Sequence, residues 1–104
     1  MERHIPEDLL RDRNWAPMLL LFAEHPKLSS VFNTDYFDLN ARLVEIDGLK
    51  DLSAQWSHGE KIMLALALHL YNESNPFNLS DLDYLDIKNR KLALEAIRTR
   101  FQGR

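Results

Sequence analysis

The sequence contains no cysteine among its 104 residues, and this absence excludes several kinds of chemistry. Disulfide bonds, zinc sites built from thiolates and cysteine nucleophiles all require that residue. The chain also has only three glycines, which stand too far apart to form a glycine-rich phosphate-binding loop. Because no other catalytic motif is recognisable, we expect no catalytic site, no cofactor and no metal site.

The sequence also lacks an apolar run long enough to cross a bilayer as a helix, which takes about 20 residues. In its most apolar stretch, from Ile62 to Tyr71, His69 is the only polar residue. Charged residues at the N-terminus precede every long apolar run, and this is not the order found in a secretory signal. These features predict a single soluble domain, residues 1–104, that lies in the cytoplasm and does not bind a membrane.

The stretch from Ser57 to Asn72 predicts the central helix of the fold, at about residues 57–72. Ser57 and Glu60 have the spacing of a capping box, in which each side chain accepts a hydrogen bond from the amide of the other residue. Beyond the cap, apolar residues occupy nearly every face of the helix, so other elements must surround it. The sequence therefore predicts an all-α fold, a compact bundle of five to six helices around this buried helix.

Residues 35–47 are compatible with either a helix or a strand. Apolar residues recur there at helical spacing, at Tyr36, Leu39, Leu43 and Ile46. Gly48 would end such a helix in the left-handed conformation. The β-branched residues within 42–46 favour a strand, but no second strand-like run is available to pair with it. We therefore predict a helix.

A last helix is predicted to begin after Asp86, whose side chain suits the N-cap position. Four apolar residues at spacings of seven, three and four predict an inward-facing seam on this helix: Ile87, Leu94, Ile97 and Phe101. The remaining surface of the helix is predicted to be exposed and basic, and it carries Lys88, Arg90, Lys91, Arg98 and Arg100.

Charge is distributed unevenly along the chain. Residues 1–86 hold 7 Lys and Arg against 15 Asp and Glu, whereas residues 87–104 hold 6 against 1. A basic end can bind an acidic partner, dock on the acidic body of its own chain, or simply face solvent. We predict that the five basic residues of the last helix bind another protein, with exposed aromatic residues such as Tyr36 or Phe77 as anchors.

On this interpretation, the protein is a non-enzymatic regulator or adaptor. Two alternative functions are also compatible with the sequence. The same basic residues would bind the phosphates of a nucleic acid, although the net charge of -3 opposes binding to a duplex. Alternatively, His69 would serve a small ligand-binding or enzymatic bundle together with a carboxylate from another helix, such as Glu24 or Asp38, provided that it opens onto a pocket. The apolar composition is also compatible with a homodimer.

Two runs of the sequence carry a resemblance to other proteins. They are Trp56-Ser57-x-Gly59-Glu60-Lys61 leading to Leu66-Ala67-x-x-Leu70-Tyr71-Asn72, and Leu85-Asp86-x-x-Asn89 leading to Ala96-Ile97-x-x-Arg100-Phe101. In these runs, residues 56–101 resemble small uncharacterised helical proteins of Gram-positive bacteria and their phages. The resemblance implies a shared helical fold, and it assigns no activity, cofactor or catalytic residue.

Overall fold

The chain is mostly helical in a computed structural model that describes residues 5–102. The α-helices are α1 (Glu7–Arg11), α2 (Trp15–Glu24), α3 (Pro26–Ser29), α4 (Ile46–Leu52), α5 (His58–Tyr71) and α6 (Ile87–Phe101). Between them lie 3₁₀ helices at Ser53–Gln55 and Leu79–Tyr84 and a small sheet of β1 (Phe37–Asp38) and β2 (Leu43–Val44). Residues 1–4 and 103–104 lie outside the described residues, and with them part of the charged N-terminus that argues against a secretory signal.

Helix α5 begins with the predicted capping box, which the structure confirms. The Glu60 amide donates to the Ser57 hydroxyl at 3.2 Å, and the Ser57 amide donates to the Glu60 carboxylate at 3.0 Å. The helix is then buried on most of its faces, through Ile62, Met63, Leu64, Leu66, Ala67, Leu68 and Leu70. No helix within residues 5–102, α5 included, is long and apolar enough to cross a membrane.

Helix α2 lies beside α5 and also contacts α1, α3 and α6, so much of the core forms around it. Its Pro17 stands in the first turn, where a missing amide hydrogen removes no helical hydrogen bond. Near its other end, Phe22 is fully buried and packs edge to face on Phe37 of β1, with ring centroids 4.9 Å apart. Phe32 completes this aromatic cluster, with its ring centroid 4.8 Å from that of Phe37.

The helix predicted over residues 35–47 is wrong. Strand β1 pairs antiparallel with β2, so the strand interpretation was correct for Leu43–Val44, and its partner is the short run Phe37–Asp38. Gly48 does not end a helix but lies inside α4, which begins only at Ile46. Two residues per strand were too few to produce a recognisable alternating pattern in the sequence.

The turn between β1 and β2 explains why a helix does not form there. The Asp38 carboxylate accepts a hydrogen bond from the Ala41 amide at 3.1 Å. Arg42 has a φ of 57°, a left-handed conformation that is incompatible with a right-handed helix. Its guanidinium donates to the carbonyls of Leu39 and Asn40, each at 3.1 Å. These local hydrogen bonds compete with the helical ones that the apolar spacing favours.

The inward seam predicted for α6 is also wrong, although Asp86 caps the helix as predicted and accepts from the Asn89 amide at 2.8 Å. The residues that α6 buries completely are Ala93 and Ala96, and Ile97 is half-buried. The other three predicted seam residues are exposed: Ile87 by 72 %, Leu94 by 51 % and Phe101 by 66 %. Helix α6 packs on α2 and α5, and buried alanines let it approach these helices more closely than leucines would.

Candidate functional site

The exposed side of α6 carries a row of alternating apolar and basic side chains. We call this row the outer stripe, and it consists of Ile87, Lys91, Leu94, Arg98 and Phe101. Steps of four and three residues keep all five on one face of a helix. All five are exposed, and they point away from the alanines that pack on α2. The outer stripe is thus an amphipathic surface that the fold does not cover.

Arg90, one of the five basic residues predicted to bind a partner, already uses its guanidinium within the chain. It donates to the carbonyls of Leu82 at 3.2 Å and Leu85 at 3.0 Å, and more weakly to that of Asp83 at 3.4 Å. These carbonyls lie in and just after the second 3₁₀ helix. We therefore interpret Arg90 as a residue that positions this segment against α6.

The other four predicted basic residues have no carboxylate partner within residues 5–102. Lys88, Lys91 and Arg98 are exposed, whereas Arg100 is half-buried and lies over the Phe101 ring, 5.1 Å from its centroid. The ion pairs of the described chain lie elsewhere, between Arg11 and Glu7 and between Arg42 and Asp8. The last helix therefore docks on the acidic body through alanine packing and not through ion pairs.

A cleft of about 1030 Å³ opens beside the C-terminal end of α6. We call it the end cleft; its walls come from residues 12–15, residues 69–73, Phe77 and the last turns of α6. The Asn14 side-chain amide donates to the Tyr71 carbonyl at 3.0 Å and joins the start of α2 to the end of α5. The rings of Trp15 and Tyr71 meet edge to face, with centroids 5.3 Å apart. The apolar part of the wall is therefore held in place on two sides.

His69 lines the end cleft, as the ligand-binding alternative requires. Its Nδ1 lies 2.8 Å from the carbonyl oxygen of Asn75. The Asn75 side chain in turn donates to the Leu68 carbonyl at 3.2 Å, so the loop after α5 fixes the ring. The two carboxylates proposed to accompany His69, Glu24 and Asp38, do not line this cleft. The structure therefore brings His69 to a pocket but does not bring the predicted acids with it.

Sequence reasoning missed the residues that the α1–α2 connection contributes to the end cleft. Arg13 and Trp15 precede His69 by more than 50 residues, and no spacing rule relates positions so far apart. Their place follows from the packing of α2 on α5. The charged residues that border the end cleft are Asp12, Arg13, Glu73 and Arg100.

A second, smaller cleft of about 440 Å³ contains His25, which is itself buried. The Lys27 amide donates to His25 Nδ1 at 3.2 Å, so the ring caps α3 in its neutral form. Burial lowers the pKa of His25 below its ordinary value; the carboxylates of Glu60 and Asp86 oppose this shift, and the Lys88 ammonium adds to it. A proton on Nδ1 would also remove the acceptor that the Lys27 amide uses.

This arrangement predicts that the protein loses stability in mild acid. Between the lowered pKa of folded His25 and the ordinary value of about 6.5, the unfolded chain binds more protons than the folded protein. The free energy of unfolding should therefore fall as the pH drops below about 6.5, by at most about 1.4 kcal/mol per pH unit from this one group. Chemical denaturation between pH 7.5 and 5 would measure the slope.

A substitution separates His25 from the other groups that titrate in this range. The variant His25→Asn keeps a side-chain acceptor for the Lys27 amide and removes the titrating ring. Its slope below pH 6.5 should be smaller than that of the unmodified protein. The matched control is His58→Gln, at an exposed histidine in the first turn of α5, which should keep the slope. Equal slopes for the unmodified protein and His25→Asn would contradict the assignment.

Among the described residues, no group of three His, Asp or Glu side chains lies close enough to hold a metal ion. No family model, no curated protein and no solved structure matches the chain. The resemblance of residues 56–101 to small proteins of Gram-positive bacteria and their phages therefore stays a prediction.

Proposed function

We propose that the protein is a cytoplasmic, non-enzymatic helical bundle that acts as a regulator or adaptor by binding another protein through the outer stripe. The observation that supports this is the exposure of three large apolar side chains, which recur every seven residues along α6. Exposed apolar residues that stand singly are ordinary on protein surfaces. Three of them on one face of a helix, with Lys91 and Arg98 between them, form an amphipathic surface against which a second helix can pack.

The charges on the outer stripe favour an acidic partner. Lys91 and Arg98 lie between the apolar side chains, and Lys88 stands beside them, all without a carboxylate partner within residues 5–102. A helix with an apolar row flanked by Asp and Glu would cover the apolar side chains and neutralise these charges together. Complementary charges of this kind chiefly fix the orientation of the partner and speed its association. We therefore propose that the partner contributes an acidic amphipathic helix.

The apolar residues of the outer stripe argue against the two other occupants considered from the sequence. A nucleic acid would neutralise Lys91 and Arg98 through its phosphates but would leave the three apolar side chains in water. A second copy of the chain, paired antiparallel about Leu94, would place the basic side chains of one stripe opposite those of the other. Like charges placed opposite each other disfavour such a dimer.

Reversing the two charges of the outer stripe tests the proposal. The variant Lys91→Glu with Arg98→Glu should lose at least about tenfold in affinity for the natural partner, because like charges then face each other across the interface. The measurement is a comparative pull-down from nuclease-treated lysate of cells that express the protein, quantified by mass spectrometry, followed by titration of the captured protein. A helix peptide from that protein with its acidic residues changed to lysine should bind the reversed variant better than the unmodified protein.

The matched control reverses two exposed lysines away from α6, in the variant Lys50→Glu with Lys61→Glu. It has the same net charge as the stripe variant and should capture the same partner as the unmodified protein. Both variants should unfold at nearly the same temperature as the unmodified protein, because surface positions contribute little to stability. Capture that survives the stripe reversal, or capture that disappears with nuclease treatment, would contradict the proposal.

A further inference from the structure

The lining of the end cleft combines aromatic side chains with polar and charged ones. Trp15, Tyr71 and Phe77 line it, and the His69 ring lies 6.1 Å from that of Phe77, centroid to centroid. Binding sites for small molecules are concave and combine apolar side chains with a few fixed polar groups that set the orientation of the ligand. The half-buried rings of Tyr71 and Phe77 suit a flat aromatic ligand, which can stack on an aromatic ring or meet it edge to face.

His69 supplies the fixed polar group. A carbonyl oxygen can only accept a hydrogen bond, so the contact of 2.8 Å with the Asn75 carbonyl places the ring proton on Nδ1. The neutral ring then has its lone pair on Nε2, for which residues 5–102 offer no donor. Because Asn75 is buried and its side chain is bonded to the Leu68 carbonyl, this tautomer is held by the fold. His69, which lines the end cleft, therefore offers its Nε2 to a ligand as a hydrogen-bond acceptor.

The charged residues at the border of the end cleft balance one another. Arg13 and Arg100 contribute two positive charges, and Asp12 and Glu73 contribute two negative charges. The Asp12 carboxylate also accepts hydrogen bonds from the Asn14 and Trp15 amides, at 2.8 and 2.9 Å. Neither an anion nor a cation gains from this balanced set. We propose that the end cleft binds an uncharged, flat aromatic molecule that donates one hydrogen bond to Nε2 of His69. Phe101 belongs both to the outer stripe and to the lining of the end cleft, whereas His69, Trp15 and Tyr71 line the end cleft alone.

Indole and benzofuran test the inference, because they share one ring shape and only indole has an N–H donor. Indole should bind about three- to tenfold more tightly than benzofuran, which is the ordinary contribution of one hydrogen bond between neutral groups. Indole-3-carboxylate, its charged relative, should bind no more tightly than indole. The readout is the indole N–H signal of Trp15 in ¹H–¹⁵N spectra of the intact protein during titration with each probe.

Trp56 provides an internal control, since it lies outside the end cleft, with the Lys27 ammonium 5.6 Å from its ring centroid. Its N–H signal should stay unshifted, and the variant Trp56→Phe identifies which signal is which. In the variant His69→Leu, the affinities for indole and benzofuran should become equal.

Three results would overturn the inference. They are equal affinities of indole and benzofuran in the unmodified protein, an unshifted Trp15 signal, and tighter binding of indole-3-carboxylate than of indole. Because the probe comparison uses the unmodified protein, it decides the matter even if His69→Leu does not fold.

Discussion

Replacing Phe22 with alanine is expected to lower the free energy of unfolding by about 3–5 kcal/mol. Phe22 is fully buried at the end of α2, and its ring lies 4.9 Å from that of Phe37 and 6.2 Å from that of Phe32, centroid to centroid. The change removes a buried ring that packs on Phe37 of β1 and on Phe32 in the segment after α3. The variant therefore loses the favourable free energy of transferring the ring out of water. It also loses the van der Waals contacts of the side chains that line the cavity left behind.

Urea denaturation followed by circular dichroism would measure this loss. A domain of about 100 residues has a total stability of only about 5–15 kcal/mol, so a loss of this size removes a substantial share of it. Its unfolding temperature should fall by more than about 12 °C. Phe101→Ala is the matched control, because it makes the same chemical change at a side chain that is 66 % exposed. A loss below about 1 kcal/mol in Phe22→Ala would contradict the central place of the aromatic cluster.

The elements that sequence reasoning predicted correctly carry their signals within a few consecutive residues. The capping box of α5 depends on Ser57 and Glu60, and the start of α6 depends on Asp86 and the Asn89 amide. Such caps act between neighbours along the chain, so they form whatever the rest of the fold does. For this reason the beginnings of α5 and α6 were easier to predict than the directions in which their side chains face.

The hairpin within residues 35–47 was not predicted, because its apolar residues recur at helical spacing. Its turn, however, has a backbone conformation that a helix cannot contain. The left-handed φ of Arg42 and the bond from the Ala41 amide to Asp38 decide the outcome. Neither feature has a strong signature, since Arg is an uncommon residue in that conformation. A glycine at position 42 would have indicated the turn, because glycine adopts a positive φ readily.

The candidate sites show the same difference between residues that are close in the sequence and residues that only the fold brings together. The sequence was sufficient to identify the basic residues of α6, because a run of cations on a terminal helix is visible without a fold. It was not sufficient to show that Arg90 binds carbonyls of the preceding segment, since those contacts depend on how the second 3₁₀ helix folds back. The end cleft could not be predicted from the sequence at all, because its walls come from three distant parts of the chain.

The second large effect is expected for the variant Ala96→Leu, because Ala96 lies on the face of α6 that packs on the core. This substitution should lower the free energy of unfolding. Ala96 is fully buried on α6, which packs on α2 and α5, so a leucine there must push the helices apart or adopt a strained rotamer. Overpacking of this kind typically lowers the free energy of unfolding by about 1–3 kcal/mol, and a helix contact formed by alanines leaves little room to relax. Urea denaturation at neutral pH would measure it.

Leu94→Ala is the opposite change two residues earlier, and the pair decides which face of α6 is inside. Leu94 is 51 % exposed on the outer stripe, and alanine favours helix at least as well as leucine, so the stability should change by less than about 0.5 kcal/mol. If the seam predicted from the sequence faced the core instead, Leu94→Ala would lose about 2–5 kcal/mol. That result would also remove the basis of the outer stripe, because its apolar side chains would then belong to the core. A stable Leu94→Ala variant together with a destabilised Ala96→Leu variant leaves those side chains on the surface, where a partner helix can reach them.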